Sequence, residues 1–114
     1  MKNIILIGMP GAGKSTVGVL LAKSMGYDFV DADLVIQKQQ GTKLQNIIDE
    51  RGLDGFKQAE EQALLSINDK KAIIATGGSA VFSTVGMAHL KENGICVYLR
   101  VDEQELIRRL TNIK

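Results

Sequence analysis

The sequence holds one cysteine, Cys96, one histidine, His89, and one proline, Pro10, in 114 residues, with no tryptophan and only 4% aromatic residues. A lone cysteine cannot close an intrachain disulfide, and a lone cysteine and histidine exclude the usual zinc sites. Long apolar runs are absent too, so no stretch approaches the roughly 18 residues of a membrane span. The apolar run after Met1-Lys2-Asn3 is only Ile4-Ile5-Leu6-Ile7, too short for a secretory signal core and without a small-residue cleavage site. A cytoplasmic protein without a membrane partner is expected. Charge of one sign is also lacking: 14 Lys and Arg face 13 Asp and Glu, a net +1. That balance argues against nucleic-acid binding by broad phosphate neutralisation but leaves room for a small, local anion site. What remains is an ordinary globular composition, 45% hydrophobic and 24% charged. Residues 1–114 are expected to form a single domain and a monomer.

The hydrophobic pattern alternates between strand and helix. Ile4–Ile7 is a short run of β-formers bounded by Gly8 and reads as a buried strand. From Ser15 the period changes: Val17, Leu20, Leu21 and Met25 share one helical face, with Gly26 as a stop. Tyr27–Asp31, Ala72–Thr76 and Ile95–Val101 read as three more strands. Thr42 and Gln45 have capping-box spacing ahead of Leu44, Ile47 and Ile48. Phe56, Ala59, Ala63, Leu64 and Ile67 form a longer helical stripe, and Val85–Asn93 a weaker helix closed by Gly94. Asp102 is placed to cap a last helix burying Leu106, Leu110 and Ile113. This order predicts an α/β fold of three layers, α/β/α, around a mainly parallel sheet whose strands are apolar because both faces are covered. Ligands of such sheets sit beyond the carboxyl ends of the strands, here Gly8, Asp31, Thr76-Gly77-Gly78 and Arg100.

Gly8-Met9-Pro10-Gly11-Ala12-Gly13-Lys14-Ser15 matches the phosphate-binding pattern G-x-x-x-x-G-K-[ST] at every fixed position, and between a strand and a helix as the motif requires. Gly11, Ala12 and Gly13 would turn their amides inward, and the helix start adds free N–H donors. Lys14 supplies a point charge for the outer phosphates, Ser15 a hydroxyl ligand for Mg²⁺, and Thr16 a further donor. This predicts an ATP site of the P-loop type. Asp31 and Asp33 follow the second strand, where i and i+2 project to one side. One carboxylate could hold Mg²⁺ through water and the other accept a proton from a hydroxyl; alternatively Asp33 only caps the helix beginning at Leu34. Glu60 falls on the apolar stripe, where a carboxylate needs a partner. Lys57, one turn earlier, offers either an ordinary ion pair, the plainer reading, or a cation held for an acidic substrate. Gly77-Gly78 allows close approach of a ligand but is also a common turn. Cys96 reads as a small core residue, His89 as a boundary residue and Lys70-Lys71 as a solvated turn.

In combination, GMPGAGKSTVG, DADLVI, GFKQAEE, ATGGSAV, Val97-Tyr98-Leu99 and Arg108-Arg109 resemble the shikimate kinases in content and order, from Ile4 to about Thr111. The resemblance implies a P-loop kinase that uses ATP and Mg²⁺ to phosphorylate the 3-hydroxyl of shikimate, a step in aromatic amino-acid biosynthesis. It implies that Asp31 helps hold Mg²⁺ and that Asp33 binds the shikimate hydroxyls near the attacking oxygen. It also implies that Gly77 and Gly78 line the shikimate pocket and that Arg109 lies against adenine. Three departures accompany it. Lys57 stands where the family has an arginine that clamps the shikimate carboxylate, and a point charge does not replace a planar fork conservatively. Ser79 stands at the third glycine of the family's TGGG. The sequence stops at Lys114, whereas the family continues through a lid with a catalytic arginine, another shikimate-binding arginine, a fifth strand and a last helix. Weak nucleotide binding with little or no turnover is therefore expected of these 114 residues. The alternatives are a kinase for another small polyhydroxy acid such as gluconate, supported by Lys57 and Ser79, and a non-catalytic nucleotide-binding protein.

Overall fold

The four apolar runs form four parallel strands in a computed structural model, which describes residues 2–8, 14–99 and 108. They are β1 (Asn3–Gly8), β2 (Asp28–Asp31), β3 (Ala72–Ala75) and β4 (Gly94–Leu99), in the spatial order β2-β3-β1-β4. Between them lie α1 (Lys14–Met25), α2 (Ala32–Gln40), α3 (Leu44–Ser66), a 3₁₀ turn (Ala80–Phe82) and α4 (Thr84–Lys91). Among the described residues no helix is long and apolar enough to cross a membrane.

Strand periodicity sorts the core onto two faces. Leu6 and Ile73 pack with Val17 and Ala22 of α1, while Ile5 and Ile74 pack with Leu64 of α3, with Ile67 just after it, and with Met87 and Leu90 of α4. The paired registers Ile4↔Ile73 and Ile5↔Ile74 make each layer continuous across β1 and β3. Chain direction reverses across the sheet between the β1-α1-β2 and β3-α4-β4 connections, so α1 and α4 lie on opposite faces. The crevice between the carboxyl ends of β1 and β3 is thus the topological switch point, where open sheets bind ligands.

Several local expectations change. Thr42 does not cap α3: the N-cap is Lys43, which makes no side-chain capping bond, and Thr42 Oγ1 instead accepts from Asn46 Nδ2 at 2.9 Å. Gln45 does not reach back, because its amide donates to Asp49 Oδ1 at 2.8 Å. The two helical stripes form one kinked helix, with the bend at Gly52 (φ 73°, ψ −179°), a conformation that favours glycine. Met25 is exposed and Gly18 takes its place on the buried face of α1. Full burial of every strand holds for β3 but not for β4, the outermost strand on that side among the described residues, on which Ile95, Val97 and Tyr98 are exposed. Cys96 is half-buried against the α3–α4 layer, and the His89 ring lies 3.0 Å from the Ile67 carbonyl. The last predicted helix and its Asp102 cap lie outside the described residues, except for Arg108, which is helical and exposed.

At the opposite pole of the sheet, Asn3 is buried. Its Nδ2 donates to the Asp69 carbonyl at 2.7 Å, its Oδ1 accepts from the Ala72 N–H at 2.8 Å, and its own N–H donates to the Asn93 carbonyl at 2.8 Å.

Candidate functional site

Gly11, Ala12, Gly13 and Arg109 lie outside the described residues. The rest of the predicted site gathers at the switch point. Lys14 opens α1, and its Nζ donates to the Gly8 carbonyl at 2.8 Å, which curls the side chain back over the end of β1. Burial lowers its pKa, and the negative charge of Asp33 opposes that shift. Ser15 Oγ lies 3.4 Å from Asp31 Oδ2, so a hydroxyl and a carboxylate oxygen converge at the start of α1. Thr16 follows on the same turn, half-buried.

The two aspartates meet the site by a different route from the one expected. Only Asp31 belongs to the strand; Asp33 sits in the first turn of α2. The cap is Asp31, not Asp33: its Oδ1 accepts from the N–H groups of Asp33 at 2.9 Å and Leu34 at 3.4 Å. One oxygen of Asp31 therefore ends a helix while the other faces Ser15. Asp33 is left with its side chain uncommitted to capping. Its pKa is raised, first by burial and then by Asp31, with Lys14 acting the other way.

Beyond Asp33 lies a second group. A Cβ placed on Gly77 would sit 2.7 Å from Asp33 Oδ1 and 3.5 Å from Glu60 Oε2, so the two carboxylates flank the bare backbone at the end of β3. Glu60 is 2% exposed on α3. Its carboxylate accepts from Ser79 Oγ, at 3.1 Å to Oε1 and 3.0 Å to Oε2. The expected Lys57–Glu60 ion pair is not formed among the described residues. Glu60 turns inward to the loop after β3, while Lys57 is exposed. Burial raises the Glu60 pKa and Asp33 adds to the rise, whereas the Ser79 hydrogen bond lowers it. Gly77 also accepts from the Ala80 N–H at 3.2 Å, so the Gly-Gly pair makes a turn as well as an opening; Gly78 is exposed beside it.

A cavity of about 370 Å³ adjoins this group, lined by Lys57, Glu60 and Ser79 and also by Gln58, Glu61, Phe82 and Thr84. The sequence reading missed Phe82, which is 78% exposed at the cavity mouth. Its only signal was a large apolar residue three places after Ser79, and that does not separate it from core. Among the described residues no cluster of three His, Cys, Asp or Glu side chains could hold a metal. The Ser15–Asp31 pair, two hard oxygen donors, suits a cation that takes its other ligands from phosphates and water.

A family model described as shikimate kinase matches residues 10–114. The chain belongs to the shikimate kinase family. It is 43% identical over 111 residues to a shikimate kinase of Thermodesulfovibrio yellowstonii, covering 96% of this chain and 64% of that protein. Identity to shikimate kinase 2 of Yersinia pseudotuberculosis is 38% over 109 residues, covering 96% and 63%. The fold superposes on shikimate kinase from Acinetobacter baumannii in complex with shikimate with a TM-score of 0.83 and 36% identity, over 96% of this chain and 62% of that one. A shikimate kinase structure from Bacteroides thetaiotaomicron gives a TM-score of 0.82 at 32% identity, over 99% of this chain and 65% of that one. The chain thus spans slightly less than two thirds of the length of these relatives. The two side chains that depart from the shikimate kinase pattern, Lys57 and Ser79, line the same cavity, with Glu60 in its wall.

Proposed function

We propose that this chain carries the nucleotide site and part of the acceptor site of an enzyme that transfers the γ-phosphoryl group of ATP to the 3-hydroxyl of shikimate. The observation that carries this reading is the position of Asp33. It couples electrostatically to Lys14 on the nucleotide side and lies against Gly77, next to Glu60, on the acceptor side. A carboxylate in that place can orient a hydroxyl toward a terminal phosphate and take up its proton as the new O–P bond forms. The raised pKa strengthens it as a base.

Lys14 would leave the Gly8 carbonyl to meet the outer phosphates, supported by the amides of Gly11, Ala12 and Gly13 and by Thr16. Ser15 and Asp31 would hold Mg²⁺, which when bound neutralises phosphate charge. Arg109 would lie against the adenine. On the acceptor side, Asp33, Gly77 and Gly78 would face the hydroxyls. Lys57 would offer its ammonium to the shikimate carboxylate, with Glu60 and Ser79 completing the wall. The relative crystallised with shikimate supports this acceptor over another polyhydroxy acid.

Titration calorimetry with MgATP and with shikimate tests the reading. K14A should weaken MgATP by roughly tenfold to a hundredfold, the value of a charge-assisted hydrogen bond. D33N should weaken shikimate while leaving MgATP within about twofold. Undiminished nucleotide affinity in K14A, or no shikimate binding by the unsubstituted chain, refutes it.

A further inference from the structure

Asp31 serves two elements with one carboxylate. It is the last residue of β2 and the N-cap of α2, with extended backbone at φ −100° and ψ 110°. Its Oδ1 accepts from the N–H groups of Asp33 at 2.9 Å and Leu34 at 3.4 Å, while its Oδ2 lies 3.4 Å from Ser15 Oγ. The first N–H groups of a helix have no acceptor within the helix, so the cap is what holds them. Asp33 carries one of these groups, and its carbonyl is held in turn by Gln37 Nε2 at 3.4 Å. The backbone of Asp33 is thus gripped on both sides by side chains, while its own carboxylate takes no part in capping. Asp33 Oδ1 lies against Gly77, where an added Cβ would stand 2.7 Å away. α2 has only 9 residues, and a helix so short depends on its cap and its packing rather than on propensity.

We infer that Asp31 is a positioning residue for Asp33: through Oδ1 it holds the first turn of α2 in the arrangement that sets the Asp33 carboxylate against Gly77, whether or not a cation sits at Oδ2. This rests on the acceptor-site reading above and deepens it, because it gives Asp31 a task in acceptor recognition besides holding Mg²⁺. The physical reason is leverage. Asp33 is the second residue of α2, so fraying of the first turn carries its side chain out of the crevice. The acceptor then binds only the fraction of molecules in which the turn is closed, and its apparent affinity falls by that fraction. A residue that only held a cation would matter only when the cation is present, whereas a cap matters in its absence. The two tasks also use different atoms. Asparagine keeps an oxygen for the two N–H groups but loses the charged second oxygen; serine keeps a capping oxygen; alanine keeps neither.

The test is titration calorimetry with shikimate, in the absence of nucleotide and divalent cation, on the unsubstituted chain and on D31N, D31S and D31A. D31N and D31S should bind shikimate within about twofold of the unsubstituted chain, and D31A roughly threefold to tenfold more weakly, the effect of one lost cap. Amide hydrogen exchange at Asp33 and Leu34 should quicken in D31A and not in the two capping variants. Titration with ATP, with and without Mg²⁺, groups the variants differently: D31N and D31A should both lose most of the affinity that Mg²⁺ adds. Circular dichroism confirms folding, and D31V, which suits the extended backbone and offers no oxygen, stands in if D31A does not fold. Equal weakening of shikimate by D31N and D31A overturns the inference, because charge rather than capping would then be responsible. Undiminished shikimate affinity in D31A or D31V, with only the melting temperature lowered, overturns it too, because that is what a merely structural cap would produce. Failure of the unsubstituted chain to bind shikimate removes the acceptor-site reading itself, and the role of Asp31 falls with it.

Discussion

Gly77→Ala is the sharpest single perturbation of this site. The new methyl carbon would stand 2.7 Å from Asp33 Oδ1, about 0.7 Å short of ordinary contact at 3.4 Å, and 3.5 Å from Glu60 Oε2. Neither neighbour is backbone, so the clash is relieved by rotating Asp33 rather than by moving β3. The backbone at Gly77 is not in the left-handed region, and alanine there restricts the unfolded chain, a stabilising effect of about 0.4–1 kcal/mol. The repacking cost offsets this, and the melting temperature should stay within roughly 4 °C. Function should not survive so well. A reacting group displaced by about 1 Å loses on the order of a hundredfold in rate, and its hold on the acceptor hydroxyl weakens with it. Shikimate affinity should fall by roughly tenfold and MgATP affinity by less than twofold. The methyl group also excludes water between two carboxyls, so both should titrate higher in carboxyl-carbon NMR spectra. A variant that binds shikimate like the unsubstituted chain would refute the placement of Asp33 against the acceptor, and one that unfolds would refute the claim that only side chains must yield.

The raised pKa values of Asp33 and Glu60 carry a definite sign. The folded state holds these protons more tightly than the unfolded one, whose ordinary values are 3.8 and 4.5, so their cost is absent below those values and grows as pH rises through the raised ones. D33N and E60Q should therefore raise the melting temperature at pH 7.5 by roughly 2–4 °C, with the gain vanishing near pH 4; an equal gain at both pH values would contradict this in thermal melts. Lys43 caps α3 without a side-chain bond, so K43S or K43D should stabilise by about 0.5–1 kcal/mol in urea unfolding, and no gain would mean that the first turn is satisfied otherwise. Asn3→Leu strands the Ala72 N–H and the Asp69 carbonyl and should cost about 2–4 kcal/mol in the same assay; a change under 1 kcal/mol would show that the clasp is dispensable.

Elements governed by period were legible in the sequence. The strands at Ile4, Tyr27, Ala72 and Ile95 and the helices between them needed only alternation, run length and glycine stops, and all four strands lie within about two residues of the expected ends. The nucleotide motif was plain as a pattern, although residues 9–13 of it lie outside the described residues. What failed depended on partners from distant segments. Asp31 and Asp33 are both good capping residues, and the choice between them turned on where β2 ends, one residue before the helix rather than three. Thr42 and Gln45 satisfied a local rule, but side-chain partners one turn on, Asn46 and Asp49, took both groups. Glu60 was correctly marked as needing a partner. Helical spacing offered Lys57, and only the fold could bring Ser79 across from 19 residues away. The exposure of Ile95, Val97 and Tyr98 on β4 was not legible from its apolar run, because such a run looks the same whether or not both of its faces are covered.

The Asn3 clasp fastens three segments at the end of the sheet opposite Gly8 and Asp31. Durability and chemistry are therefore lodged at opposite ends of the same strands. A lesion at the clasp should lower the yield of folded molecules without altering what the survivors prefer, whereas a lesion near Gly77 should do the reverse. Selection, natural or in the laboratory, could then retune the ligand pole and repair lost sturdiness at the other, with little interference between the two searches.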